Sequence, residues 1–128
     1  MKTSRGRNVL IVEDEKPLLN AIRIKLENSG FDVLTARTVD QALHYMEDVG
    51  KIDVIWLDHY LLGKGTGLDF VVAIKSNEKW KQIPIFVVSN TASQDKVKAY
   101  IKFGVTKYYT KADYRLDQII EDMQNMIE

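Results

Sequence analysis

The sequence predicts an α/β fold in which a parallel five-stranded sheet is covered by helices on both faces. Short apolar runs alternate with longer segments in which apolar residues recur every three to four positions, so strands should alternate with helices. The strand candidates, such as residues 9–12 and 85–88, are continuous apolar runs typical of strands buried on both faces. The 128 residues contain no linker or repeat, so we expect one doubly wound domain over residues 1–128, with residues 1–7 as a flexible tail.

The first strand–helix unit is predicted to end in a glycine cap. The apolar run at residues 9–12 predicts a strand, and Pro17 suits the first turn of the helix that follows. Gly30 is expected to end that helix, with Phe31 making the apolar contact that often accompanies a glycine cap.

The second unit begins with a short strand predicted over residues 31–36. Thr38 and Gln41 then stand three residues apart, which is the spacing of a capping box. A second helix is therefore expected from Thr38 to Gly50.

The remaining three units repeat the alternation. Their strands are predicted over residues 52–57, 85–88 and 105–109. Their helices are predicted over residues 67–77 and 93–103, and from about residue 113 to the end of the chain.

The composition argues against several classes of protein and kinds of site. Eighteen basic residues balance eighteen acidic ones, which argues against a module that binds nucleic acid or a membrane surface through bulk positive charge. The absence of cysteine excludes disulfides, thiolate metal sites and cysteine nucleophiles. There is no signal-peptide pattern, and no apolar run reaches the roughly 18 residues that a membrane span needs. We therefore expect a cytoplasmic protein that contacts neither nucleic acid nor membrane directly.

Reactive side chains follow four of the five predicted strands. These are Glu13 and Asp14 after the first strand, Asp58 after the third, Ser89 after the fourth and Lys111 after the fifth. Each has an ordinary structural explanation alone, but the carboxyl ends of parallel strands share one edge, so all could converge. Grouped carboxylates repel one another unless a cation relieves them, and an oxygen-only ligand set suits Mg²⁺. A lysine and a hydroxyl nearby could hold phosphoryl oxygens, with Asp58 as the nucleophile.

These residues and spacings make the chain similar to the receiver domains of bacterial two-component response regulators, in the CheY-like superfamily. The resemblance runs from Val9 to the last helix. The matching residues are Glu13, Asp14, Asp58, Ser89, Tyr108 and Lys111. The resemblance implies a flavodoxin-like sheet with strand order 2-1-3-4-5.

The resemblance also implies a phosphoryl acceptor. A sensor histidine kinase, a phosphotransfer protein or a small acyl phosphate would donate the group to Asp58 in a Mg²⁺-dependent step. Asp14 and Asp58 would hold the metal directly, Glu13 through water and Tyr60 through its backbone carbonyl. The protein would be a signalling switch and not an enzyme, although self-phosphorylation and autodephosphorylation are expected.

The implied output is a change of surface. Lys111 would pair with the phosphoryl oxygens, Ser89 would move to hydrogen-bond one of them, and Tyr108 would follow inward. The face formed by the fourth helix, fifth strand and fifth helix would then change. Its target would be another protein or the chain's own output domain, and a homodimer through this face stays open.

The chain departs from the family pattern at three places. Ala112 follows Lys111 where the family usually has a proline, often across a cis bond, so we expect a trans bond here. Leu62 stands where a proline is common, and the loop to Gly67 is one residue longer than usual, so a mobile loop is expected.

Several polar and aromatic residues near the site have expected roles. His59 is predicted to be a solvated loop residue. Tyr60 and Thr91 flank the pocket and could steer the water that removes the phosphoryl group. Tyr100 and Phe103 are both predicted to be buried aromatics on the fourth helix, although they could belong partly to an output surface.

Other functions stay open from the sequence. The start at Met1 and the lack of a linker favour a stand-alone receiver, with a domain cut from a longer DNA-binding or enzymatic regulator as the alternative. A small phosphatase with an aspartyl nucleophile would need an acid two residues beyond Asp58, where Tyr60 stands. A flavodoxin-like electron carrier would need a phosphate-binding loop where Glu13 and Asp14 stand. A receiver that works without phosphorylation is a further alternative, disfavoured because every site residue is present.

Overall fold

Strands and helices alternate along the computed structural model, which describes residues 6–90 and 93–127. The strands are β1 (Asn8–Val12), β2 (Asp32–Ala36), β3 (Val54–Leu57), β4 (Ile85–Ser89) and β5 (Lys107–Thr110). The helices are α1 (Lys16–Asn28), α2 (Val39–Asp48), α3 (Gly67–Lys75), α4 (Gln94–Lys102) and α5 (Leu116–Ile127). The strands form one sheet in the order β2-β1-β3-β4-β5, and every pairing is parallel. The predicted fold class and strand order are therefore confirmed.

Two hydrophobic cores lie on opposite faces of the sheet. One face is covered by α1 and α5, whose buried residues include Leu26 and Met123. The other face is covered by α2, α3 and α4, with Met46, Phe70 and Tyr100 among the buried residues. Because successive strand residues point to opposite faces, the apolar runs of the inner strands fill both cores, as the sequence predicted.

The predicted cap of α1 is confirmed. Gly30 adopts a positive φ of 97°, which favours glycine, and its N–H donates to the Glu27 carbonyl at 3.0 Å. The N–H of Phe31 donates to the Leu26 carbonyl at 3.1 Å, and both side chains lie in the same core.

The capping box predicted for α2 is confirmed in one half only. The Thr38 hydroxyl accepts a hydrogen bond from the Gln41 N–H at 3.0 Å. The Gln41 side chain, however, accepts from the N–H of Arg37 at 2.9 Å and not from Thr38. The Gln41 side chain therefore holds the backbone of Arg37, the residue before the cap. A reciprocal capping box that the sequence reasoning missed opens α3, between Thr66 and Asp69.

Element boundaries differ from the predictions near the ends of β5. The Thr106 hydroxyl accepts a hydrogen bond from the Ile85 N–H at 3.1 Å, and β5 begins only at Lys107. After β5, a 3₁₀ turn at Lys111–Asp113 delays the start of α5 to Leu116. No peptide bond is cis between residues 6 and 90 or between 93 and 127, so the expected trans bond before Ala112 is confirmed.

The carboxyl ends of the strands meet at one edge of the sheet. Val12 lies beside Leu57 across β1 and β3, and Ser89 lies beside Thr110 across β4 and β5. The residues that follow these strands therefore share one side of the domain, which is where the candidate site lies.

Candidate functional site

Three carboxylates meet where β1 and β3 end. Glu13, Asp14 and Asp58 each offer an oxygen, and these oxygens lie within 4.8 Å of one another. Glu13 is fully buried, Asp58 is only 3% exposed, and Asp14 is partly exposed. Because β1 and β3 are neighbours, the sheet itself brings together carboxylates that are more than 40 residues apart in the chain. The predicted acidic cluster is present.

Lys111 lies against two of these acids. Its Nζ is 2.9 Å from Glu13 Oε1 and 3.3 Å from Asp58 Oδ2. Burial alone would lower the pKa of Lys111, but the hydrogen bond to Glu13 and the charge of Asp58 outweigh it, so the pKa is raised. Lys111 therefore supplies a fixed positive charge within reach of anything bound to Asp58.

Burial dominates the electrostatics of Glu13. It raises the pKa of Glu13 from 4.5 to about 7, and the charge of Asp58 adds to the shift, while the hydrogen bond from Lys111 opposes it. The native state therefore holds the Glu13 proton at pH values where the unfolded chain has already lost it.

This shift predicts a pH-dependent stability for the metal-free protein. The preference for protonated Glu13 stabilises the fold fully below about pH 4.5, and the effect is lost as pH rises through about 7. At about pH 8, the free energy of unfolding of Glu13→Gln should therefore be about 1–3 kcal/mol higher than that of the wild type. Urea denaturation of both proteins in the presence of a chelator measures this difference.

The comparison at about pH 5 supplies the internal check, because the difference between Glu13→Gln and the wild type should shrink there. Glu47→Gln, at an exposed position on α2, is the matched control and should show no such change. An equal difference at both pH values would contradict the proposed cause.

The backbone around Asp58 is held on three sides. The Asp58 N–H donates to the Val12 carbonyl at 2.9 Å, which anchors the acceptor strand to β1. The N–H of His59 donates to Asp58 Oδ1 at 2.8 Å, and the N–H of Gly67 donates to the His59 carbonyl at 2.9 Å. A Cβ at position 67 would collide with the Asp58 carbonyl oxygen and lie 2.7 Å from the Tyr100 hydroxyl. A glycine is therefore required there.

Arg37 anchors the loop after β1, which carries Asp14, to its surroundings. The sequence did not predict this role. Its Nε and Nη2 donate to the Asp14 carbonyl at 2.9 and 2.7 Å. Its own carbonyl accepts a hydrogen bond from the N–H of Leu62 at 3.0 Å. One arginine thus joins the loop after β1 to the loop after β3. The predicted mobility of the latter loop stays a prediction.

The side chains of Ser89, the last residue of β4, and Tyr108, within β5, lie near each other. Ser89 is fully buried, and its hydroxyl makes no well-formed hydrogen bond to any residue that the structure describes. Burial raises the pKa of Tyr108, and the nearby Ser89 hydroxyl opposes that shift. The Tyr108 ring is partly buried, with its centroid 5.6 Å from that of Tyr100.

The prediction that His59 is a solvated loop residue is wrong. His59 is 6% exposed, and its Nδ1 shares a 2.6 Å hydrogen bond with the Tyr100 hydroxyl. Burial lowers the pKa of His59, and the charge of Lys96 adds to the shift. The prediction failed because α4, which lies 41 residues further along the chain, covers the imidazole.

The other flanking residues divide between surface and interior. The side chain of Tyr60 is exposed, and its hydroxyl accepts a hydrogen bond from Lys96 Nζ at 3.3 Å. Tyr100 is fully buried, as predicted. The prediction that Phe103 is buried is wrong, because Phe103 lies just beyond the last residue of α4 and is 42% exposed. Thr91 lies outside the described residues.

Comparison with protein families gives the identity of this arrangement. The model of the response regulator receiver domain matches residues 9–124. The chain belongs to the response regulator receiver family. As a receiver domain of a two-component regulator, it is a signalling module, and the electron-carrier and phosphatase alternatives are set aside.

Curated relatives of this receiver domain are longer proteins. It is 32% identical over 106 residues to the phosphate regulon transcriptional regulatory protein PhoB of Pseudomonas aeruginosa, which covers 83% of this chain and 45% of PhoB. It is 33% identical over 104 residues to the KDP operon transcriptional regulatory protein KdpE of Escherichia coli, which covers 81% of this chain and 44% of KdpE. The receiver domain thus spans less than half the length of these relatives.

Solved structures show the same architecture. The phosphorylated cyanobacterial phytochrome response regulator RcpA has a TM-score of 0.81 at 27% identity, covering 94% of this chain and 90% of that one. The Mn²⁺-bound response regulator Rcp1 has a TM-score of 0.76 at 26% identity, with coverage of 94% and 88%. A CheY-like receiver from Methanospirillum hungatei has a TM-score of 0.85 at 19% identity, with coverage of 94% and 93%, and that likeness supports the fold alone.

Within the described part of this receiver domain, none of the helices has the length and apolar character needed to cross a membrane.

Proposed function

We propose that this receiver domain accepts a phosphoryl group on Asp58, with Mg²⁺ bound beside it, and that the modification switches a protein-binding face. The observation that carries the proposal is the meeting of Glu13, Asp14 and Asp58 at one sheet edge with Lys111 against two of them. The phosphoryl donor would be a sensor histidine kinase, a phosphotransfer protein or a small acyl phosphate. As in the family generally, the proposed setting is the cytoplasm.

The donor set fits Mg²⁺. Receiver domains bind Mg²⁺ at an acidic pocket, and here three carboxylates place their oxygens within 4.8 Å of one another. Hard oxygen ligands without His or Cys suit this ion. Asp14 and Asp58 would hold it directly, Glu13 through water and Tyr60 through its backbone carbonyl. When bound, Mg²⁺ would neutralise charge between the carboxylates and the oxygens of the incoming phosphoryl group.

Asp58 is the proposed nucleophile. One of its carboxylate oxygens would form a bond to the donor's phosphorus while the bond from phosphorus to the leaving oxygen or nitrogen breaks. The leaving group departs with the bonding electron pair, and an acyl phosphate forms on Asp58. The hydrogen bonds from His59 N–H and Lys111 Nζ already hold the two carboxylate oxygens in place.

Three residues are proposed to respond to phosphorylation of Asp58: Lys111, Ser89 and Tyr108. Lys111 would move its hydrogen bonds from the carboxylates to the new phosphoryl oxygens. The Ser89 hydroxyl is buried without a well-formed bond in the described structure, so it is free to donate to a phosphoryl oxygen. After Ser89 moves, Tyr108 would follow inward, and the α4–β5–α5 face would change.

The target of this face would be a protein. PhoB and KdpE are transcriptional regulatory proteins more than twice the length of the matched region, which supports an output domain in the same polypeptide as one target. The other proposed target is a separate protein. A homodimer through the same face is also proposed, since Ile101 and Phe103 leave apolar surface exposed there.

Removal of the metal gives the first test of the proposal. Incubation with acetyl phosphate and Mg²⁺ should yield a phosphoryl adduct in the intact mass spectrum, and excess chelator should abolish it, because unrelieved carboxylates repel the incoming phosphoryl group. A phosphoryl adduct of equal yield with and without chelator would contradict the role of the metal. The absence of an adduct under every condition would contradict phosphoryl acceptance itself.

A further inference from the structure

A buried polar contact joins the residue after Asp58 to helix α4. His59 Nδ1 and the Tyr100 hydroxyl lie 2.6 Å apart, and the two residues are 6% and 0% exposed. Burying an imidazole and a phenol removes both from water, and this cost is offset only while they remain bonded to each other. Two apolar side chains of similar size could fill the same space without this constraint. The polar pair therefore specifies one arrangement of the acceptor loop against α4.

The His59 backbone shows what this arrangement fixes. Its N–H donates to Asp58 Oδ1 at 2.8 Å, and its carbonyl accepts from the Gly67 N–H at 2.9 Å. A residue whose side chain is anchored and whose backbone bonds to both sides cannot shift without reorienting the Asp58 carboxylate. The hydroxyl of Tyr100 also lies only 2.7 Å from the position that a Cβ on residue 67 would take, so the start of α3 packs closely against the third side of the contact.

The contact continues to β5. The ring of His59 lies edge-on to that of Tyr100 at a centroid distance of 5.7 Å, and Tyr100 lies 5.6 Å from Tyr108. On the outer side, the ring of Tyr60 lies 4.9 Å from that of His59 and beneath Lys96 of α4. Packed aromatic side chains therefore run without a gap from the residues beside the acceptor to α4 and β5.

We infer that His59 and Tyr100 are positioning residues that couple Asp58 to α4. Their hydrogen bond holds the backbone of residues 58–60 in its reactive geometry, and through it a change at Asp58 displaces α4. The inference rests on the proposed function of Asp58 and deepens it, because it adds a second connection beside the one through Ser89 and Tyr108.

The test removes a single hydroxyl. Tyr100→Phe keeps the ring and its packing but breaks the bond to His59. Tyr109→Phe is the matched control, because Tyr109 is also fully buried and its hydroxyl donates to Asp122 at 3.0 Å on the opposite face of the sheet. Both variants and the wild type are compared in the rate of phosphorylation by acetyl phosphate with Mg²⁺, and in the NMR shifts of the backbone amides of α4.

Tyr100→Phe should be phosphorylated about fivefold more slowly, the change that corresponds to one net hydrogen bond. Phosphorylation should also shift the α4 amides less than in the wild type, and Tyr109→Phe should match the wild type in both measurements. His59→Leu should reproduce the loss, whereas His59→Asn, which keeps a polar atom near the Nδ1 position, should recover part of it. The comparison of His59→Leu with His59→Asn also tests the inference if Tyr100→Phe does not fold.

Two results would overturn the inference, and they are distinguishable. Equal phosphorylation rates and equal shifts of the α4 amides in the wild type, Tyr100→Phe and His59→Leu would contradict the coupling. Asp58 would remain the acceptor. A wild type that takes up no phosphoryl group would remove the proposed function and this inference together.

Discussion

Asp58→Asn should take up no phosphoryl group from acetyl phosphate and Mg²⁺ under conditions in which the wild type is modified. The amide is not a nucleophile, so no acyl phosphate can form at this position. The fold should survive, because asparagine has a similar volume and its Oδ1 can still accept the His59 N–H hydrogen bond. Lys111 retains its shorter contact to Glu13 at 2.9 Å.

The matched control is Asp40→Asn, which removes a carboxylate from an exposed position on α2. This control should be modified to the same extent as the wild type, and circular dichroism should show that all three proteins are folded. A phosphoryl adduct of wild-type yield on Asp58→Asn would mean that another residue is the acceptor. Loss of the adduct from both variants would mean that the effect is not specific to position 58.

Gly67→Ala should destabilise the fold. The added Cβ meets the Asp58 carbonyl oxygen, the Tyr100 hydroxyl at 2.7 Å and the His59 Cα at 3.0 Å, and two of these three neighbours are backbone atoms that cannot rotate away. Overpacking of this kind costs about 1–3 kcal/mol. Alanine's better helix propensity returns at most about 1 kcal/mol and acts only weakly at the first residue of α3. The steric effect should prevail, giving a net loss of about 1–2 kcal/mol in the free energy of unfolding.

Gly50→Ala provides the matched control, because a Cβ there has no atom within 4 Å. That variant should be neutral or slightly stabilised, since alanine lowers the entropy of the unfolded chain. Urea denaturation of both variants measures the difference. Equal stabilities for Gly67→Ala and Gly50→Ala would show that the backbone behind Asp58 can move, which would contradict the requirement for glycine at position 67.

The sequence predicts the sheet edge well because each signal is local. The run at residues 9–12 followed by two acids, and the run before Asp58, each identify a buried strand and the residues at its carboxyl end. The rule that parallel strands share one edge then brings Glu13, Asp58 and Lys111 together without knowledge of any contact. Glycine caps work for the same reason, since the conformation of Gly30 depends on its own chain neighbours.

The sequence does not predict the contacts that support the acceptor from a distance. His59 is buried because Tyr100 lies over it, and the two are separated by 41 residues. Arg37 reaches the Asp14 carbonyl across 23 residues, and nothing in the residues around Arg37 identifies that partner. The need for glycine at position 67 arises from the Asp58 carbonyl behind it. Such contacts follow from how the finished layers pack, which neither spacing nor periodicity encodes.

The central claim is that Asp58 itself carries the phosphoryl group, and borohydride reduction of the modified protein tests it most directly. Borohydride cleaves an aspartyl phosphate and converts the side chain into that of homoserine, which peptide mass spectrometry can locate. We predict homoserine at position 58 only, and only after incubation with acetyl phosphate and Mg²⁺. Reduction products at Glu13 or Asp14, or unmodified Asp58 in protein that carries the adduct, would contradict the claim.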